Sequence, residues 1–387
     1  MKITQLYIYP IKSLAPLPVS RTRLGREGLE HDRRFMLLKV KPDGTYKKIQ
    51  IPHFPECALF HQRLDGDEIV VTYHHAPGAS ETETETGPKP LLRVPLSPKL
   101  EGREVVDVLL NSSGTDAYRM GDPYDGWFTA RFGFEVILVY IGDRGREVLA
   151  HRPSENRLWQ QQQQQQRPRG GWLSSIAAYI PGVGGGGGDA AEERLTFSEI
   201  APFLVTSGAS LRDVSSRLPE GEEMDMRRFR PNIVVDEEDP QQEQATEEEG
   251  GEGLKAWEED YWAELSVSRG TEGGGGGGGG GGGEQEQCHY RFALTANCGR
   301  CTSINIDYET GRQAEGEPGI VLKKLMADRR VDEGNKYAPI FGRYGFLLPG
   351  EGGGGRDGDD GVVEVAVGDE IRVTKRLDSR DRWAWPM

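Results

Sequence analysis

Five runs of low complexity cut this 387-residue chain into short blocks, and the blocks between them limit what it can fold into. The runs are Gln160 to Gln166, Gly184 to Gly188, the acidic stretch from Asp236 to Glu252, Gly273 to Gly283 and Gly352 to Gly355. None can bury enough apolar surface to offset the entropy lost on ordering, so each is expected as a mobile surface loop inserted into an older scaffold. None interrupts a candidate strand or helix. The remaining blocks are short and mostly of period two. Phe292 and Leu294 alternate with polar or small residues, Ile304 and Ile306 with Ser303, Asn305 and Asp307, Val363, Val365 and Val367 with Glu364 and Ala366, and Ile371 and Val373 with Arg372 and Thr374. Two helices stand out. One sets Leu211, Val214 and Leu218 on one face after Ser210 as N-cap, and one follows Pro318 with Leu322, Leu325 and Met326 on one side. The fold class is therefore α+β and strand-rich.

The length exceeds the usual single-domain size, which predicts two compact domains. The boundary falls in the polar region between about Arg152 and Ala190. This gives a strand-rich unit over 1–150, a low-complexity linker over 151–189, and a second unit over 190–387 with insertions at 236–252, 273–287 and 351–361. Hydrophobic residues are only 36%, but 53 glycines dilute that figure locally. A net charge of -15 argues against nonspecific binding to nucleic acid or anionic lipid. Four cysteines, Cys57, Cys288, Cys298 and Cys301, do not resemble a secreted disulfide framework and fit a reducing compartment. Pro10 and Lys12 interrupt the first apolar stretch before signal-peptide length, and no run of about 18 apolar residues follows, so no transmembrane segment is expected and the reading is a soluble, cytoplasmic protein.

The densest chemical signal is Asn297-Cys298-Gly299-Arg300-Cys301, expected at a turn between two strands, with Cys301 running straight into the second. Arg300 beside it favours the thiolate, the form that ligates a soft metal. A bare C-x-x-C leaves other readings open: a zinc half-site completed by Cys288 and His289, a redox disulfide, or two inert buried cysteines. Thr206-Ser207-Gly208 leads into a helix, where free N–H groups and two hydroxyls could converge on a phosphate, or simply cap. In Arg227-Arg228-Phe229-Arg230-Pro231-Asn232, Pro231 biases Arg230 away from helical geometry and Ile233-Val234-Val235 reads as a buried strand. Arg230 and Asn232 would then face one way and offer bidentate contacts. In the first unit, Lys12 and Arg33 are candidate phosphate contacts.

Taken together, YPIKS, GLEHDRRFML, APFLVTSGASL, MRRFRPNIVV, EEDYWAEL, NCGRCTSINIDYETG and YAPIFGRYGFL resemble, in order, pieces of the MOSC superfamily, nearest its amidoxime-reducing components. The most specific element is R-C-x-x-x-x-x-D-x-x-T-G from Arg300 to Gly311. The resemblance implies an N-terminal β-barrel-like domain followed by a mixed β-barrel MOSC domain with a few helices. It implies a molybdenum-molybdopterin cofactor ligated by the metal-binding, catalytic Cys301 and cradled by Lys12, Ser13, Arg33, Thr206, Ser207, Arg230 and Asn232, with Cys298 only a neighbour. Such family members reduce small N-hydroxylated substrates with electrons relayed from NADH through a reductase and a cytochrome b5-type donor. No nicotinamide or flavin fingerprint is present, which fits a separate donor. Animal members carry an N-terminal targeting segment not seen here, so mitochondrial association rests on analogy alone. Two alternatives follow from the same family: a sulfur carrier with Cys301 as persulfide, although the pyridoxal-phosphate module of sulfurases does not fit in this chain, and a cofactor-binding protein without turnover.

Overall fold

The computed structural model describes residues 1–75, 91–153, 193–237, 253–269, 289–348 and 363–384. The glutamine and glycine runs, the insertions at 273–287 and 351–361 and most of the 151–189 linker lie outside them. Strand β1 (Lys2–Ile8) pairs locally with Leu17–Val19, but its other partners come from far along the sequence. The residues after it build β2 (Phe35–Val40), a meander of β3 (Phe60–Asp65), β4 (Glu68–Tyr73) and β5 (Leu91–Pro95), then β6 (Val105–Leu110), β7 (Ser113–Arg119), α1 (Tyr124–Phe132) and β8 (Val136–Tyr140). Strands β6, β7, β8 and β2 lie side by side in one sheet. β2 shows no polar alternation because both of its faces are covered. Phe35 and Leu37 pack with Phe60 and Phe128, while Met36 and Leu38 pack with Val106, Ile137 and Phe197.

The second half supplies β9 (Phe203–Ser207), α2 (Gly208–Ser215), β10 (Ile233–Asp236), β11 (Trp262–Ser268), β12 (His289–Gly299), α3 (Val321–Leu325), β13 (Ile340–Leu347) and β14 (Glu370–Arg376). These strands form a ring in the order β10, β9, β13, β12, β11, β14, which β1 closes by pairing with both β14 and β10. The pair β9 and β10 is parallel, as a crossover through α2 requires, and the other neighbours are antiparallel. Closure leaves the ring without an exposed edge. A division at 150–190 therefore does not hold for β1, which belongs by hydrogen bonding to the later barrel. Leu6 faces Ile233 and Ile3 faces Val235 across that seam. The Ile233-Val234-Val235 run is buried throughout, as its sequence predicts: Ile233 and Val235 pack with Phe203, Trp262 and Phe292, and Val234 packs with Val214, Phe229 and Phe341.

Four local expectations are corrected. The N-cap of α2 is Ser207, whose Oγ accepts from the Ser210 N–H at 3.4 Å, and Ser210 lies inside the helix with its hydroxyl donated to Glu259 at 2.7 Å. Asp236 does not begin an acidic loop; it ends β10, largely buried, and accepts from Arg212 at 2.6 and 3.1 Å. Ile304 and Ile306 are buried as their alternation suggests but do not share a strand. Ile304 sits in a 3-10 turn, Thr302–Asn305, because the Asn305 carboxamide turns back to cap the Leu322 N–H, and Ile306 starts a two-residue strand. Pro318 initiates a separate 3-10 turn, and α3 buries Val321 and Leu325, leaving Leu322 and Met326 half-buried.

The segment after Cys301 ties the two halves together. Ile306 and Tyr308 pack into the core that holds Phe35 and Phe60. The Asp307 carboxylate accepts from the N–H groups of Glu309 and Thr310 at 2.7 and 3.0 Å, bending the chain into a turn that ends at Gly311. Gly311 has φ 60°, and a Cβ there would lie 2.6 Å from Leu59 Cγ. The motif's terminal glycine is thus a docking requirement. Gly311→Ala is expected to cost about 1–3 kcal/mol through strain and overpacking, read as a lowered denaturation midpoint. Unchanged stability would refute the docking role.

Candidate functional site

A cleft of about 510 Å³ opens where the β12–β13 end of the barrel meets the N-terminal sheet. β12 ends at Gly299, the Arg300 N–H donates to the Pro339 carbonyl at 2.8 Å, and Cys301 then caps the 3-10 turn at Thr302–Asn305. Cys301 therefore does not run straight into a strand. Its thiol is exposed, with Sγ 3.3 Å from Ser303 Oγ, whereas Cys57 and Cys298 are buried. Arg300 turns inward and donates to the carbonyls of Phe229, at 2.6 Å, and Phe341, at 2.9 Å from Nε, so its guanidinium is committed to joining strands. Cys298 also lines the cleft; burial pushes its thiol up, against the opposing pull of Arg300.

From the N-terminal side come Lys12, Ser13 and Arg33. Ser13 and Arg33 both have positive φ, 76° and 51°, which bends the chain so that these side chains reach the cleft. Ser13 Oγ donates to the Ile49 carbonyl at 2.9 Å and keeps lone pairs free. Arg33 donates to Asp32 at 2.5 Å and to Asn232 Oδ1 at 3.2 Å. From the barrel side, Arg230 adopts a left-handed conformation, φ 54°, and donates to the Leu14 carbonyl and the Tyr308 hydroxyl, each at 3.0 Å. Both guanidinium groups lie over the Tyr9 ring, Arg33 at 4.4 Å and Arg230 at 4.3 Å from its centroid. Asn232 lines the cleft but also braces strands, accepting from the Leu204 N–H at 3.2 Å and donating to the Tyr7 carbonyl at 3.2 Å.

Five cationic side chains, Lys12, Arg33, Arg228, Arg230 and Arg300, line this space against the carboxylate of Glu199. Burial pulls the Lys12 ammonium down to about 8, although the Glu199 carboxylate in contact with it works the other way. Burial would raise Glu199, but Lys12, Asn111 and Arg146 outweigh it and hold the carboxyl at about 2. Asn111 reaches Glu199 from the tip of the β6–β7 hairpin, its Nδ2 2.7 Å from Oε2. Glu199, Asn111 and Ser198 carry no periodic or motif signal, and only the tertiary fold brings them to Lys12.

Thr206 and Ser207 are corrected as site residues. Both are fully buried outside the cleft, Thr206 donating to Met226 Sδ at 3.4 Å and Ser207 capping α2. The start of α2 offers no anion site, because the Ser210 hydroxyl there is donated to the buried Glu259 carboxyl. Among the described residues no three His, Cys, Asp or Glu side chains gather to hold a metal; Cys288, needed for the four-ligand zinc reading, lies outside them. Among the described residues no helix is long and apolar enough to cross a membrane.

Comparison with known proteins matches the two halves in order. A model of the MOSC N-terminal beta barrel domain matches residues 1–135, and a model of the MOSC domain matches residues 192–372. Mitochondrial amidoxime reducing component 2 of Macaca fascicularis is 25% identical over 359 residues, 88% of this chain and 78% of that protein. Human mitochondrial amidoxime-reducing component 1 is 26% identical over 165 residues, 42% of this chain. Human molybdenum cofactor sulfurase is 21% identical over 339 residues, 85% of this chain. The matches span only 36% and 29% of the length of those two human proteins. With a closed seven-strand mixed barrel, and both domain models matched in sequence order, the chain belongs to the MOSC superfamily, a MOSC N-terminal β-barrel domain followed by a MOSC domain.

Proposed function

We propose that this protein is a molybdenum-cofactor-dependent oxidoreductase that reduces N-hydroxylated compounds, such as amidoximes and hydroxylamines, with electrons from an external donor. The reading is carried by one exposed thiol, Cys301, facing a cleft whose cationic walls come from both ends of the chain. The amidoxime-reducing relatives support it. Two further atoms bear on whether a pterin phosphate fits. Ser198 Oγ and Arg228 Nε, both on cleft-lining residues, are buried without a hydrogen-bond partner among the described residues. Each such orphan costs about 1–3 kcal/mol unless a ligand satisfies it, and phosphate or pterin acceptors would do so.

When bound, the molybdenum–pterin group would supply a metal centre able to take oxygen from an N–OH group in a two-electron reduction. The residues present would do the rest. Cys301 Sγ is the soft anchoring ligand, with the Ser303 hydroxyl near enough to donate to it. Lys12, Arg33, Arg228 and Arg230 offset phosphate charge, and Phe203, Leu204 and Phe229 exclude water from the inner wall. Glu199 stays ionised and holds Lys12 in place. The electrons would come from a cytochrome b5-type donor with its NADH-dependent reductase, and mitochondrial association, borne in the relatives' names, belongs to the same proposal. The sulfurase match favours a second reading, in which Cys301 carries sulfur and no reductase turnover occurs.

Purified protein is expected to hold stoichiometric molybdenum, with Cys301→Ala losing most of it and Cys298→Ser retaining it; metal loss in both single variants would contradict a one-thiolate anchor. Chemically reduced, loaded protein should reduce benzamidoxime, and no turnover at full loading would favour the carrier. Because Lys12 titrates near 8, its ammonium is present below that pH and lost above it. Sulfate binding by metal-free protein, followed by calorimetry, should therefore weaken as pH rises through about 8. Lys12→Met should weaken it about ten-fold at pH 7 and flatten the profile. A pH-independent wild-type affinity would remove Lys12 from the anion site.

A further inference from the structure

The MOSC match ends at residue 372, yet the chain continues past β14 and returns to the cleft. Residues 377–384 form a strap, each stage tied to a buried or half-buried group. The Leu377 N–H donates to the Tyr261 carbonyl at 2.8 Å. Arg380 Nε donates to the fully buried Asp260 carboxylate at 2.7 Å, which also accepts two bonds from Arg329. The Asp381 carbonyl accepts from Asn297 Nδ2 at 2.9 Å, and its carboxylate accepts from the fully buried Arg343. The Trp383 N–H donates to Asp332 Oδ1 at 2.9 Å. At Gly334 the strap passes so close that a Cβ would lie 1.9 Å from the Trp383 carbonyl oxygen. Such ties hold the backbone in place at the site.

The product of this anchoring is one large aromatic side chain on the cleft wall. Trp383 lines the same space as Cys298, Cys301 and Asn335, and the His151 ring packs against the indole at 4.9 Å. The cleft's charged residues and its other aromatic residues, Phe203, Phe229 and Tyr344, lie within the matched domains, whereas this indole comes from the strap beyond them. An indole offers a flat, polarisable face that favours conjugated planar groups over small aliphatic ones.

We infer that the 377–384 strap is a specificity element: Trp383 forms the binding face for an aromatic or conjugated planar framework carrying the N–OH group. This rests on the reductase reading of the same cleft, and it narrows the substrate class within it. Asp332 and Asp381 are positioning residues for that face.

The test compares benzamidoxime with acetamidoxime, which share the N–OH amidine and differ in the ring. Binding to oxidised, metal-loaded protein is measured by calorimetry, which needs no turnover, and KM and kcat are measured with chemically reduced protein. Trp383→Ala should weaken benzamidoxime binding about five- to ten-fold and change acetamidoxime binding less than about two-fold, the range expected for one lost aromatic contact. Molybdenum content should hold, the loss should show in KM for benzamidoxime, and Trp383→Phe should restore most of the preference. Equal weakening of both ligands, no change in either, or loss of molybdenum in Trp383→Ala overturns the strap's role. Ring-selective binding without any wild-type turnover would leave the strap standing and defeat the reductase reading.

Discussion

Two guanidinium groups held over one phenol ring set the conditions for the rest of this molecule. Arg33 arrives from the N-terminal half, Arg230 from the barrel, and both lie over Tyr9, which sits just beyond the strand that closes the barrel. Like charges so placed repel, and the ring offsets each by about 0.5–2 kcal/mol. Asp32, Asn232 and the Leu14 and Pro231 carbonyls complete the arrangement, the last accepting from the Tyr9 hydroxyl at 2.9 Å. The strand β1, the loop after it and the segment before β10 are thereby locked to one another. The positive field at the cleft is thus a by-product of how the two halves are joined.

How much of this could be read from residues alone varies with the kind of force involved. Strand-richness was legible because period-two burial is local, and Ile233-Val234-Val235 stood out because both faces of its strand are covered. Lys12, Ser13, Arg33, Arg230, Asn232 and Cys301 all line the cleft, and the first five were singled out by spacing and resemblance rather than by any physical necessity visible in one dimension. Thr206 and Ser207 misled because a hydroxyl pair before a helix looks the same whether it faces a ligand or a protein interior. There the interior won, since Glu259 already occupies Ser210. Ile304 misled because burial alternation is shared by a strand and by a 3-10 turn packed on one side. Glu199 was invisible, because its role depends on Lys12, 187 positions away.

The two cysteines of the C-x-x-C show how backbone geometry separates identical side chains. Cys298 is the penultimate residue of a barrel strand and is enclosed beside Tyr344, while Cys301, past the end of the strand, is turned outward by a single 3-10 cap. Arg300 between them is spent on carbonyls of neighbouring segments, so it fixes the turn more than it tunes the outer sulfur.

The barrel's closure has a consequence for how the chain comes into being. Strand β1 meets residues 17–19 early, but its barrel partners are residues 233–236 and residue 370, so closure must wait until those have been made. The sheet containing β2, β6, β7 and β8 has all its strands in hand by residue 140 and can condense first. Synthesis at about 5–20 residues per second makes that delay a matter of many seconds, during which β1 has its short hairpin with residues 17–19 but neither of its barrel neighbours. Entropy of loop closure rises only slowly with such separations, so the wait costs time and exposure to aggregation far more than final stability.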